Sequence, residues 1–424
     1  MFIVKVYMWN TLIGALVQDD IGTVPRFSFD ERFLESGIEI APITMPLGKG
    51  VFSFPELNYK TFFGLPGALA DSLPDKYGTK VFERYLSDLG RSVNSITPLE
   101  RLSYMGKRGM GALEYVPETE LRLDDRGSID IDRLVELASD ILLERKSIHV
   151  STMEQMMSIG TSAGGARAKA VIAWNQKTND VRSGQIAAEK DYEYWIIKFD
   201  GVSGNRDKTD IDDGPEYTAI EYSYYLMATD SGINMNPCKL YEEHGRKHFM
   251  TKRFDRDAEG NKLHMLSLGG MAHFDFNAPG ENSYEQVSNI IYRLGMGAKE
   301  AEQLYRRMVF NDLAKNYDDH AKNTSFLMDK SGTWYLAPAY DITYAYDRSN
   351  IWINSHQMSI SGKRDEISKE DLIKAGIRMN LNKMKCVSII EQIETVVADW
   401  KKYANAVSIR KNSIDAISKV LKVK

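Results

Sequence analysis

Residues 311–323 read Asn-Asp-Leu-Ala-Lys-Asn-Tyr-Asp-Asp-His-Ala-Lys-Asn, and Leu336-Ala337-Pro338-Ala339-Tyr340-Asp341-Ile342 follows shortly after. Asp318 precedes Asn323 by five positions, and Asp341 lies beyond a short hairpin. This is the order of parts that kinases use for phosphoryl transfer. In that order Asp318 accepts the proton of an attacking hydroxyl. Asn323 and Asp341 then bind Mg2+ on the nucleotide phosphates. Positioning and charge neutralisation supply most of the catalysis in this chemistry, and Mg2+ prefers hard oxygen ligands such as these. The competing reading is that Asp318, Asp319 and Asn323 merely cap and line a polar loop.

Three further segments bear on the same chemistry. Lys198 ends the apolar run Tyr194-Trp195-Ile196-Ile197-Lys198-Phe199, upstream of a helix expected over Ile220–Ala228 that contains Glu221. A strand lysine ahead of a helix glutamate fits the ion pair that aims a kinase lysine at the α- and β-phosphates. Thr161-Ser162-Ala163-Gly164-Gly165-Ala166 is a small-residue loop whose backbone N–H groups can approach phosphate closely. It is neither a Walker loop nor a GxGxxG repeat, and by itself it reads as a tight turn. Thr251-Lys252-Arg253-Phe254-Asp255-Arg256 is a strand edge ending in an aromatic, suited to hold adenine or simply to bury a phenyl ring. His244 and His248 have no third ligand and read as surface or turn residues. The Asp- and Gly-rich run 201–215 reads as a solvated loop.

The elements that must position these residues are strands in front and helices behind. Alternation over Phe2–Tyr7 and the return over Leu12–Val17 predict a hairpin turning at Asn10-Thr11. Phe27, Phe29 and Phe33 suit a short strand and turn, and Ser72–Tyr85 carries a helical pattern after Phe62-Phe63-Gly64-Leu65-Pro66-Gly67. Helical spacing also covers Leu134–Leu143, then Val287, Ile290, Ile291 and Leu294, Glu300–Leu313, and the stretch from Lys369 onward. Strands are expected at Ala170–Trp174, Glu193–Phe199 and Phe249–Phe254. The class is therefore α+β.

Composition bounds the reading. The 424 residues allow about two to four domains. Hydrophobic residues at 43% and charged residues at 27% are ordinary globular proportions, which exclude wholesale disorder. The 54 basic and 59 acidic residues give a net charge of -5. A protein that lives by contact with phosphate backbones is expected to be basic. Cys238 and Cys386 are too few for a disulfide framework and read as reduced thiols. No stretch is long and apolar enough to cross a bilayer, Lys5 interrupts the first apolar run, and cytoplasm is the expected location. Lys401, Lys402, Arg410, Lys411, Lys419, Lys422 and Lys424 read as a solvated helix face.

Together these segments resemble the HipA family of bacterial serine/threonine kinases, the toxin halves of HipA/HipB toxin–antitoxin pairs. The resemblance is carried by Ser162–Lys169, Ile196–Asp200, Arg253–Arg256, and Asp318–Asn323 with Pro338–Asp341. The run Phe63–Asp75 resembles the family's N-terminal subdomain, so the likeness covers nearly the whole chain.

The resemblance implies a two-lobed fold like protein and phosphoinositide kinases. It implies an N-terminal α+β subdomain over 1–118, a strand-rich lobe over 119–254 and a mostly helical lobe over 255–424. Asp318 would be the catalytic base, and Asn323 and Asp341 would hold Mg2+. ATP would meet Lys198, Phe254, Glu221, His320 and the loop residues Ser162, Ala163, Gly164 and Gly165. Ser162 matches the serine that family members autophosphorylate, although Thr161 beside it offers a second hydroxyl. A phosphoserine adds roughly two negative charges where ATP phosphates sit. Lys252 stands where some members have an acidic residue. The implied partners are a protein substrate and a HipB-like helix-turn-helix antitoxin, with DNA reached through that antitoxin. Two alternatives remain: a catalytically silent antitoxin-binding module, and a small-molecule kinase of the same fold.

Overall fold

The computed structural model describes the chain except residues 93–94, 120–126, 144–155, 158, 160–166, 186–187, 203–215, 258 and 424. Two compact units emerge. The first comprises Met1–Asp213, Met250–Leu266 and Leu327–Thr333, and the second Gly214–Phe249, Ser267–Phe326 and Trp334–Lys424.

In the first unit, β1 (Phe2–Met8) pairs antiparallel with β2 (Thr11–Gln18) from Phe2↔Gln18 to Met8↔Thr11. The turn sits one residue earlier than the sequence suggests, at Trp9-Asn10, whose φ values are 50° and 64°. Two left-handed central residues match the twist of a two-residue hairpin. β3 (Arg26–Phe29) and β4 (Leu113–Val116) complete a sheet of order β3-β2-β1-β4. Val4, Val6 and Met8 bury one face while Ile3 and Lys5 stay exposed, the period-two signature of a half-covered strand. Gly14 is required: a Cβ there would lie 2.3 Å from the Ser28 carbonyl oxygen.

Helix α1 (Lys76–Asp88) starts later than the apolar pattern implies, because Asp75 caps it by accepting from the Gly78 N–H at 2.6 Å. Helix α2 (Pro98–Met105) packs on β1 and β4 and opens on a Thr97/Glu100 capping box with Pro98 in its first turn. Helix α3 (Ile131–Leu142) buries Ile131, Leu134, Val135, Ala138 and Ile141. A second sheet runs β6-β5-β7-β9, with β5 at Lys169–Asn175, β6 at Asp180–Ser183 and β7 at Glu193–Lys198. The last strand, β9 (Arg246–Lys252), gives its Met250–Lys252 end to this unit.

The second unit is mostly helical. Helix α4 (Tyr217–Asp230) precedes β8 (Cys238–Glu243), which joins the front half of β9. His248 is fully buried on β9, so it is not the surface residue its polarity suggested. It belongs to the buried run His248-Phe249-Met250 of that strand. A small sheet has order β10-β11-β12, with β10 at His264–Ser267, β11 at Ser325–Met328 and β12 at Trp334–Leu336; of these, His264–Leu266 and Leu327–Met328 belong to the first unit. Helices α5 (Tyr284–Arg293) and α6 (Ala298–Leu313) lead to the candidate loop. Helices α7 (Lys369–Arg378), α8 (Lys383–Ala398), α9 (Trp400–Ala406) and α10 (Lys411–Ser418) follow it. Helix α8 packs on α6 and α7.

Cys238 and Cys386 are buried free thiols. Among the described residues, no helix is long and apolar enough to cross a membrane.

Candidate functional site

Helix α6 delivers the loop that carries the chemistry. Its last turn buries Asn311 and Asp312, and the chain then turns through Lys315 in a left-handed conformation, φ 57°. The Tyr317 N–H donates to the Ala345 carbonyl at 2.9 Å, and the Ala345 N–H donates to the Lys315 carbonyl at 3.0 Å. These two bonds pin the loop to the segment that follows Asp341. Asp318 keeps 19% of its side chain exposed, with His320 Nε2 3.8 Å from its Oδ1. A turn of 3-10 helix, Ala321–Asn323, brings Asn323 back over the loop. There its Nδ2 donates to the Asp318 carbonyl at 2.8 Å.

That bond fixes the amide orientation and leaves Asn323 Oδ1 as the atom able to ligate. Asp341, itself left-handed at φ 53°, lines the same small cavity as Asn323. A non-glycine residue held there stores strain of about 1–3 kcal/mol, and such residues cluster at functional sites. Two hard oxygen donors on one cavity wall suit Mg2+.

Under this surface lies a buried polar network that the sequence did not reveal. Asp319, adjacent to Asp318, accepts three hydrogen bonds. The Tyr284 hydroxyl and His356 Nδ1 each reach Oδ2 at 2.7 Å, and the Gln357 N–H reaches Oδ1 at 2.7 Å. Asn311 Nδ2 donates to the Tyr284 oxygen at 3.0 Å, and Asn316 Nδ2 donates to Asn311 Oδ1 at 2.9 Å. Burial opposes a charge on His356, yet the carboxylates of Asp319 and Asp312 outweigh it and push its pKa up to about 9. Burial and the Asp319 charge push the Tyr284 phenol well above its ordinary range, so it remains a donor.

Arg307, also fully buried, donates through Nη2 to the Ala337 carbonyl at 2.6 Å. Among the described residues its Nε and Nη1 have no partner, and they belong to a side chain lining the cavity of about 20 Å³. That is room for about one water. The doubled Asp318-Asp319 was the one visible signal of this network, while His356, Tyr284 and Arg307 gave none.

The remaining predicted residues divide between the units. In the first, Lys198 is buried at the end of β7, in register with Lys169 of β5. Lys169 in turn pairs with the helix-capping Asp75 at 3.3 Å. Phe254 is half-buried just past β9, between two arginines locked on one carboxylate. Arg253 grips Asp255 through Nε and Nη2 at 2.8 and 2.7 Å, and Arg256 adds a third bond at 2.7 Å. Asp255 is fully buried, and these cations overcome that burial and hold its carboxyl below the usual range. Lys252 pairs with Glu193 at 2.5 Å. In the second unit, Glu221 is buried on α4. Thr161, Ser162, Ala163, Gly164 and Gly165 lie outside the described residues. The structure thus brings Asp318, His320, Asn323 and Asp341 together in one unit.

The HipA-like C-terminal domain family matches residues 161–400, and the HipA N-terminal domain family matches residues 4–116. The chain belongs to the HipA family. Its C-terminal match contains the whole Asp318–Asp341 constellation. A solved complex of Shewanella oneidensis HipA with HipB and operator DNA superposes at a TM-score of 0.70 and 16% identity. The match covers 99% of this HipA-family chain and 95% of that one. It fixes the fold: α+β, of the HipA type. The Helicobacter pylori kinase CtkA aligns over 59% of this chain and 93% of its own at 14% identity, with a TM-score of 0.34. A Haemophilus influenzae protein named "Putative kinase" is 30% identical over 108 residues, which is 24% of this chain. The alignment spans only 32% of that relative's length.

Proposed function

We propose that this HipA-family chain is an ATP-dependent kinase that transfers the γ-phosphate to a serine or threonine hydroxyl of a protein. The observation that carries the reading is the shared cavity wall of Asn323 and Asp341, with the Asn323 amide tied to the Asp318 carbonyl. Asp318 is half-buried, with 19% of its side chain exposed, and takes the proton of the attacking hydroxyl. His320 stands beside it, on the nucleotide side in this reading. Asn323 Oδ1 and Asp341 would hold Mg2+, which neutralises charge on the transferred phosphoryl group. Lys198 and the loop 161–166 would meet the phosphates, and Phe254 would pack on adenine, held by the Arg253–Asp255–Arg256 clamp.

The same reading extends to regulation. Autophosphorylation at Ser162, or at Thr161, would place negative charge where ATP phosphates bind. The Shewanella HipA was solved with HipB on operator DNA. A HipB-like antitoxin is the proposed partner here, with DNA contacted mainly through it, in keeping with a net charge of -5.

The test is phosphate transfer from labelled ATP by the purified chain with Mg2+, with product sites mapped by mass spectrometry. Asp318→Ala should lower the rate by about 10²–10⁴-fold while leaving the melting temperature unchanged. Absence of nucleotide turnover by the wild type would refute the reading and favour a silent antitoxin-binding module. Phosphate appearing only on small molecules would reassign the substrate.

A further inference from the structure

The last described residues run back against the helix that feeds the reactive loop. The Lys422 N–H donates to the Leu313 carbonyl at 3.0 Å, at the end of α6. Its Nζ donates to Asp312 Oδ1 at 2.7 Å and reaches the Ile367 carbonyl at 3.4 Å. Asp312 faces His356 Nε2 at 3.4 Å, and His356 Nδ1 reaches Asp319 Oδ2 at 2.7 Å. A continuous polar path therefore joins Lys422 to the residue beside Asp318.

Charge balance explains why the path needs its outer end. Asp312 and Asp319 are both buried carboxylates, and the His356 imidazolium alone matches only one of them. Lys422 supplies the second positive charge. Lys315 feels the Asp312 charge, but its Nζ bonds the Tyr317 hydroxyl and sits 4.4 and 4.7 Å from the Tyr317 and Tyr346 ring centres, so it is not placed to take over the hydrogen bond of Lys422. Among the described residues Asp312 Oδ2 has no donor. Without Lys422 this carboxylate would keep, among the described residues, one side-chain hydrogen-bond contact, that to His356 at 3.4 Å, and a buried charge that loses its partner forces rearrangement. His356 would then be shared differently between the two aspartates, and Asp319 would lose a fixed neighbour.

We propose that Lys422 is a positioning residue for phosphoryl transfer, holding Asp318 in place through Asp312, His356 and Asp319. The proposal rests on the reading of Asp318 as the base. Full-length Lys422→Met and Lys422→Arg should be compared with wild type by amide hydrogen exchange and by steady-state kinetics with ATP and Mg2+. In Lys422→Met, exchange over 317–323 should quicken about tenfold while that of α7 and α8 stays unchanged. Its kcat should fall about tenfold at an unchanged KM for ATP, as a small misplacement of a reacting group produces. Lys422→Arg should restore both. Exchange and kcat in Lys422→Met within about twofold of wild type would overturn the proposal. So would faster exchange spread evenly through the second unit, which marks a purely structural role. If the wild type turns over no ATP, the kinase reading fails, and the exchange data still decide whether Lys422 secures the loop.

Discussion

Raising the pH from 7 to 9 should take the proton that His356 holds between Asp312 and Asp319 from about half of the folded molecules. The ordinary imidazole value is 6.5 and the folded value is about 9. A folded pKa above the unfolded one contributes stability that is complete below about pH 6.5 and is lost as pH rises through about 9. The shift corresponds to about 3 kcal/mol in full, of which about 2 kcal/mol should disappear between pH 7 and pH 9.

The assay is urea denaturation of wild type and His356→Asn at half-unit pH steps, read as the difference in unfolding free energy. Asparagine keeps a donor but carries no charge at any pH. Taking the difference cancels other titrations. Lys315 is the main one: burial and the nearby Lys422 charge lower it to about 8. Its unfavourable contribution therefore relaxes as pH rises from about 8 toward 10.5, opposite in sign to that of His356. The wild-type advantage should shrink by about 2 kcal/mol across the window. An advantage that stays level from pH 7 to pH 9 would show that His356 is neutral in the fold and refute the charge balance drawn above.

Asn323→Ala should raise the Mg2+ concentration needed for half-maximal ATP turnover by about tenfold or more, measured by metal titration. Asp255→Ala would strand two buried guanidiniums, one of which, Arg256, burial already pulls down to about 10. It should cost about 3–5 kcal/mol in urea denaturation. Gly14→Ala puts a methyl 2.3 Å from the Ser28 oxygen and 2.5 Å from the Phe27 ring. The first sheet must shift to admit it, at about 1–3 kcal/mol, seen as a lower melting temperature.

Several features were legible because they are local. Strand alternation in β1 and β2 and the helical stripe of α5 depend on neighbours a few residues apart. So does the spacing of Asp318 and Asn323, whose contact spans five positions. Boundaries slipped where capping chemistry competes with hydrophobic pattern, as Asp75 shows at the start of α1. The basic residues after Lys401 read as a solvated face, yet Lys422 turns inward to Asp312.

Sequence alone determined the order of the reactive residues and the α+β class, since both are written in short-range spacing. Tertiary structure decided what holds those residues still. His356 lies 37 positions from Asp319, and Lys422 lies 110 positions from Asp312. No period or motif links them. They meet because two buried carboxylates must find positive charge wherever the packed chain can bring it.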